Sequence, residues 1–142
     1  FGRPAPMTDA AAAGAPRPIL WDDVAPGAWL GATEVTLSPD LFAAWARIDP
    51  AAGTGAAPPG LMTALMMRAY TAVVAPRPPG NVHAGQALRI LRAPAAGAVL
   101  RAEFGCAGKE MRRGRRRVAF SVTMSDAEGP VLEGELRLVW AA

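Results

Sequence analysis

The stretch from Gly60 to Val74, Gly-Leu-Met-Thr-Ala-Leu-Met-Met-Arg-Ala-Tyr-Thr-Ala-Val-Val, constrains this chain more than any other. Leu61, Met62, Leu65, Met66, Tyr70, Val73 and Val74 leave it almost no polar face, and a helix that is apolar all round is enclosed by other structure. Pro59 stands just before its start and Pro76 just past its end, where a missing N–H and a fixed φ do least harm. Nearly everything that follows it reads as strand. The expectation is an α+β fold in which a long antiparallel sheet wraps around one buried central helix.

The segments around the helix agree. Gly31 to Leu37 carries Thr33, Val35 and Leu37 on one side of a strand and Glu34 and Thr36 on the other. Ser38-Pro39-Asp40 opens a second helix, with Ser38 as N-cap, Pro39 at the first helical position and Asp40 near the positive end of the dipole. Leu41, Phe42, Trp45 and Ile48 form its apolar stripe, and Asp49-Pro50 ends it. Downstream, Leu100, Ala102, Phe104 and Cys106 alternate with polar positions. So do Val118, Phe120, Val122 and Met124, and then Leu132, Leu136, Leu138 and Trp140. Each such strand has one dry face, as an antiparallel sheet packed on one side requires. Turns are expected at Pro94 to Gly97, Met111 to Gly114 and Ser125 to Gly129. Ile19 to Leu30, broken by an Asp pair and a Pro-Gly turn, reads as a lead-in lying across the core.

With 142 residues, 51% of them hydrophobic, the chain has enough sequence for one domain. Residues 1–18 read as a flexible N-terminal segment without a secretion signal, and 19–142 as the domain. Met7 is a candidate initiator, which would make residues 1–6 a cloning remnant. The pI near 10.0 suggests nucleic acid until the charges are located. Six of the 15 basic residues sit between Lys109 and Arg117; setting these and Glu110 aside leaves nine basic against eleven acidic residues, a balance of −2. The basicity is a local cluster without interleaved aromatics, which argues against a nucleic-acid surface. The single cysteine, Cys106, excludes an internal disulfide and fits a reducing cytoplasm; one His and one Cys make a metal site improbable. No apolar run approaches the roughly 20 residues of a membrane span.

The order of a strand, a short helix, a loop, one buried helix and an antiparallel meander resembles the hotdog fold. The residues Trp21-Asp22-Asp23-Val24-Ala25-Pro26-Gly27, Ala57-Pro58-Pro59, Val82-His83-Ala84-Gly85-Gln86 and Lys109 to Arg117 resemble MaoC-like dehydratases, most closely the N-terminal type of dehydratase domain. The resemblance runs from about Ile19 to Trp140. It implies a dimer joined sheet to sheet with pockets at the interface, acyl thioesters of coenzyme A or acyl carrier protein as ligands, fatty acid metabolism, and reversible hydration of a 2,3 double bond. No cofactor is implied beyond the coenzyme A or phosphopantetheine of the substrate. In that chemistry an Asp and a His hold a water, while N–H groups at the start of the buried helix polarise the thioester carbonyl. The hydratase signature Asp-x-Asn-Pro-x-His falls on Asp49 to Thr54: Asp49 matches, but Ala51, Ala52 and Thr54 replace the Asn, Pro and His. Threonine does not titrate near neutrality, and a general base is typically worth about 10²–10⁴-fold.

The candidate residues follow from this. Asp49, Thr54 and His83, the only histidine, are the catalytic candidates. Asp49 is either a surviving catalytic carboxylate or ordinary turn chemistry, and His83 either lines the acyl pocket or is structural. Gly60, Leu61 and Met62 at the helix start, with Gly85 and Gln86, are the thioester and acyl candidates. Arg112, Arg113 and Arg115 are candidates for the phosphates of coenzyme A or the acidic surface of a carrier protein, or else a solvated hairpin tip. Four readings stay open: an acyl-thioester binder of the hydratase type with an incomplete Asp/His pair, serving as the non-catalytic partner of another hotdog subunit or as a homodimer; an active hydratase or dehydratase, a lyase, using Asp49 in an unusual arrangement; a hotdog thioesterase; and a basic-patch interaction module.

Overall fold

The structure, a computed structural model, describes residues 16–50 and 55–142. In chain order it contains strand β1 (Trp29–Thr36), helix α1 (Pro39–Ile48), helix α2 (Pro59–Val73) and strands β2 (Val82–Ile90), β3 (Val99–Arg112), β4 (Arg115–Asp126) and β5 (Gly129–Trp140). The strands form one antiparallel sheet in the order β1-β3-β4-β5-β2. Consecutive strands β1 and β2 are thus the two opposite edges, and α2 is the segment that carries the chain across the sheet's face between them. The expected α+β arrangement is present.

Local chemistry sets the helix bounds. The Ser38 Oγ accepts the Leu41 N–H at 3.3 Å and Pro39 occupies the first turn of α1, a cap worth about 1 kcal/mol. The other end of α2 is held by Arg77, whose Nη1 donates to the Val74 carbonyl at 2.7 Å and the Thr71 carbonyl at 3.1 Å, groups that have no intrahelical partner. Leu61, Met62, Leu65, Met66, Ala69 and Tyr70 are the buried face of α2. They meet the alternating dry faces of β3, β4 and β5, among them Phe104, Phe120, Leu136 and Trp140.

Three expectations need correction. Helix α2 is not enclosed all round: Ala64, Arg68, Thr71 and Ala72 are exposed. Alanine and threonine count as weakly apolar in a pattern, yet they add little area worth burying, and the sheet covers only one side. Ile48, assigned to the stripe of α1, is 74% exposed, because the helix runs out past the core at that point. The Met111 to Gly114 turn is tighter than expected, since β3 continues to Arg112, which pairs with Arg115. Only Arg113 and Gly114 turn the chain, with φ of 52° and 75°, the pair of left-handed residues that a two-residue hairpin requires.

The lead-in does cross one end of the core. The Ile19 N–H donates to the Pro76 carbonyl at 2.9 Å, the Trp140 Nε1 to the Ile19 carbonyl at 2.9 Å, and the Trp21 N–H to the Ala142 carbonyl at 2.7 Å. Its Asp23 accepts both Arg17 guanidinium nitrogens and the Leu20 N–H, and these hold the carboxyl down at about 2. Across the molecule, Arg92 grips Asp126 through both carboxylate oxygens, at 3.1 and 2.6 Å, and reaches the Gly129 carbonyl at 3.0 Å. The Asp126 carboxyl is held below the ordinary carboxylate range, chiefly by the Arg92 hydrogen bonds. Both groups titrate lower in the folded chain than the ordinary Asp value of about 3.9, so their contribution is full above that value and is lost as pH falls through the folded ones. Stability is therefore expected to decline from about pH 5 toward pH 2, and Asp126→Asn to make that decline shallower; urea midpoints measured across this range check it.

Candidate functional site

The end of α1 and the start of α2 are brought together by Trp45. Its ring lies so close over Gly60 that a Cβ there would stand 3.2 Å from the ring's Cη2 and nearer still to Cζ2. Gly60 is thus required by the tryptophan, not by a positive φ. The Trp45 Nε1 is enclosed with no partner among the described residues. Asp49 lies one turn beyond Trp45 and caps the same helix, its N–H donating to the Trp45 carbonyl at 2.9 Å while the residue stays exposed. A carboxylate and the start of the buried helix therefore share one corner of the molecule.

That helix start has few donors to offer. Pro58 and Pro59 carry no N–H, and the Met62 N–H donates to the Pro58 carbonyl at 3.1 Å. Among the described residues the N–H groups of Gly60 and Leu61 have no backbone partner, and they stand at the positive end of a fifteen-residue helix. The Leu61 and Met62 side chains are in the core, so this corner presents backbone there, not side chains. Thr54, with Ala51 and Ala52, lies outside the described residues.

His83 is elsewhere. It sits at the start of β2 opposite Leu138, on the helix side of the sheet, and is exposed. Leu138 is two residues from Trp140, which bonds the lead-in beside Pro76, just beyond the end of α2. The other end of β2 leads to Pro94, whose carbonyl accepts the Ala57 N–H at 2.9 Å just before α2 begins. Fifteen residues at 1.5 Å each put roughly 22 Å between the ends of α2, so within one chain His83 and Asp49 lie toward opposite ends. Gln86, opposite Leu136, shares the helix side with His83; a register shift at Ala84 turns Gly85 to the other face, opposite Arg137. Among the described residues no group of three His, Cys, Asp or Glu comes together to hold a metal ion, and no helix is long and apolar enough to cross a membrane.

The basic cluster divides by strand parity. Lys109 turns inward, its Nζ 4.0 Å from the centre of the Trp21 ring and donating to the Trp21 carbonyl at 2.8 Å, and so fastens the lead-in. Arg113 is in the turn, and Arg115 and Arg116 are exposed near the tip. Arg112 and Arg117 line a groove on the outer face of the sheet that also takes in Arg137, a residue the sequence pattern left as one polar position among several. Only the strand pairing connects it to the cluster.

No family model and no curated protein matches the sequence. Solved structures do. A MaoC-like dehydratase from Rhodospirillum rubrum matches with a TM-score of 0.76 at 18% identity, over 86% of this chain and 96% of that one. An (R)-hydratase from Pseudomonas aeruginosa matches with a TM-score of 0.70 at 22% identity, over 87% and 86%. The HadBC (3R)-hydroxyacyl-ACP dehydratase complex from Mycobacterium tuberculosis matches with a TM-score of 0.61 at 18% identity, over 82% and 97%. At these identities it is the fold that is shared, and the chain is a hotdog-fold protein with the architecture of MaoC-like dehydratases and hydratases.

Proposed function

We propose that this protein binds acyl thioesters of coenzyme A or acyl carrier protein, as a chain of the enoyl hydratase and 3-hydroxyacyl dehydratase type whose own Asp/His pair is incomplete. The observation that carries this reading is the corner where the Gly60 and Leu61 N–H groups, without a backbone partner among the described residues, open the buried helix under the Trp45 ring, one helical turn from Asp49. Two N–H donors at a positive helix end suit a thioester carbonyl that gains negative charge. An adjacent carboxylate suits a water held against the acyl chain. No imidazole of the same chain is near, which sets this corner apart from a complete acid/base pair. The fold shared with an (R)-hydratase and with a hydroxyacyl-ACP dehydratase complex supports the substrate class.

The free edge of β2 suits a second hotdog chain. From Val82 to Leu88 it carries no Asp, Glu, Lys or Arg, and Val82 is 52% exposed; an unblocked edge of this kind is a template for strand pairing. The protein works as a dimer through this edge, with itself or with a chain carrying the full signature.

The test mixes the purified chain with short and medium trans-2-enoyl-CoA and follows both the enoyl absorbance and free thiol. Saturable binding is expected, with hydration at least about 100-fold below that of a chain with a complete pair. Residual hydration is expected to disappear in Asp49→Asn. Release of thiol in place of hydration would assign a thioesterase, and absence of saturable binding would refute the reading.

A further inference from the structure

We propose that the outer face of the sheet, opposite α2, holds a binding site for a phosphate ester of nucleotide size, built on Arg112, Arg117 and Arg137. The strand register supplies the geometry. Arg112 pairs with Arg115 and Glu110 with Arg117, which sets Arg112 and Arg117 on a diagonal. Arg117 pairs with Val139 and Ala119 with Arg137, which sets Arg117 and Arg137 on the next diagonal. Diagonal neighbours on one face lie within reach of long side chains, so three guanidinium groups run in a row across β3, β4 and β5.

The floor between them is small: Gly108, Ala119 and Ala84 line the same groove, whose volume is about 410 Å³, and its charged lining beyond the three arginines is Lys109, Glu110 and Glu135. A cavity of this size is far larger than one inorganic phosphate needs and falls in the range of small-molecule sites, about 300–1,000 Å³. Like charges on neighbouring positions of one sheet face repel, and this row is only partly compensated. Arg137 has a loose contact with Glu135 at 3.7 Å, and neither Arg112 nor Arg117 makes an ion pair among the described residues although Glu110 lies alongside. The Nε of Arg117 is buried without an acceptor among the described residues. A buried donor of this kind is costly to leave unpaired, and an anion seated in the groove would supply the acceptor and the countercharge together. Three planar forks offer more donors than one carboxylate can accept, whereas the oxygens of a phosphate ester or diphosphate match them.

The experiment is calorimetric titration of the full chain with inorganic pyrophosphate and with ADP at low salt. One saturable site is expected, weakened at least about tenfold in Arg117→Gln/Arg137→Gln and little changed in Arg113→Gln/Arg116→Gln, which removes equal charge at the hairpin tip. Should the first pair fail to fold, Arg112→Gln/Arg137→Gln, both exposed, carries the same expectation. Absence of a saturable site, or equal weakening by the tip pair, would overturn the proposal by reducing the row to a diffuse basic patch. Two further ligands identify the source of the phosphate. If the groove takes the nucleotide end of a coenzyme A thioester, Arg117→Gln/Arg137→Gln weakens enoyl-CoA and leaves phosphate-free enoyl-pantetheine unchanged. If it takes a separate nucleotide, both thioesters bind the variant as they bind the wild type while ADP does not. Failure of enoyl-pantetheine to bind at all, with ADP binding intact, would strike the acyl-thioester reading and not this site.

Discussion

Phe120→Ala is expected to destabilise the protein by about 3–5 kcal/mol, the usual cost of emptying an aromatic site in a core. Phe120 is fully buried on β4, with the Tyr70 ring of α2 centred 6.1 Å away and the Trp140 ring of β5 at 5.6 Å in an edge-on arrangement. Tyr70 also meets Phe104 of β3 at 6.1 Å, so one phenol from the helix is lodged among rings from the sheet. Neither Tyr70 nor Trp140 can collapse into the gap readily: Arg77 lies over the Tyr70 ring at 5.6 Å, and the Trp140 indole is tied to the Ile19 carbonyl. The cavity therefore stays open, and the loss should lie toward the upper end of the range. Because a whole domain is stable by only about 5–15 kcal/mol, this one change takes a large share of the total. Urea midpoints with an unchanged slope are the expected record; a loss below about 1 kcal/mol would mean that the rings are not what holds α2 to the sheet.

Gly134→Ala is expected to cost about 1–3 kcal/mol or more, for a different reason. Gly134 sits in the middle of β5, between Leu88 of β2 and Val122 of β4. A Cβ there would stand 2.9 Å from the Leu88 Cα and 2.8 Å from its Cδ2, with the Ala87 carbonyl oxygen closer still. Backbone cannot swing aside as a side-chain tip can, so β2 must move off β5. The effect should be seen locally as well as globally: amide exchange should accelerate along Val82–Ile90 more than along β3 and β4. Gly108→Ala is the control, since a Cβ at that position meets nothing within 4 Å, and a change within about 0.5 kcal/mol is expected. Should Gly134→Ala match the control, β2 is held loosely enough to adjust, and its edge is a poor candidate for a fixed seam with a second chain.

The parts of the fold that depend on near neighbours in the chain are legible in the sequence. Ser38-Pro39-Asp40 and Asp49-Pro50 bound α1 as their capping and steric properties demand, and the alternating residues of β3, β4 and β5 face the core as their period of two requires. Helix α2 was legible as an element but not in its surroundings, because periodicity tells which residues are apolar and not how far a sheet will reach around them. At the candidate site, Asp49 and the start of α2 were identified separately from the Asp-Pro stop and the paired prolines. What joins them is Trp45 over Gly60, and nothing in the sequence connects those two positions.

Residue type and spacing over a few positions are enough for the elements, their order, the inward faces of β3, β4 and β5, the lone histidine and the departure from the Asp-to-His signature. Only strand pairing and packing set Asp49 and His83 toward opposite ends of α2, bring the Lys109 ammonium onto the Trp21 carbonyl of the lead-in, and stand Arg137 in a row with Arg112 and Arg117. The reason is that strand register and helix placement set these distances. Arg117 and Arg137 are twenty residues apart in the chain and diagonal neighbours on the sheet, and only the pairing of β4 with β5 brings them together.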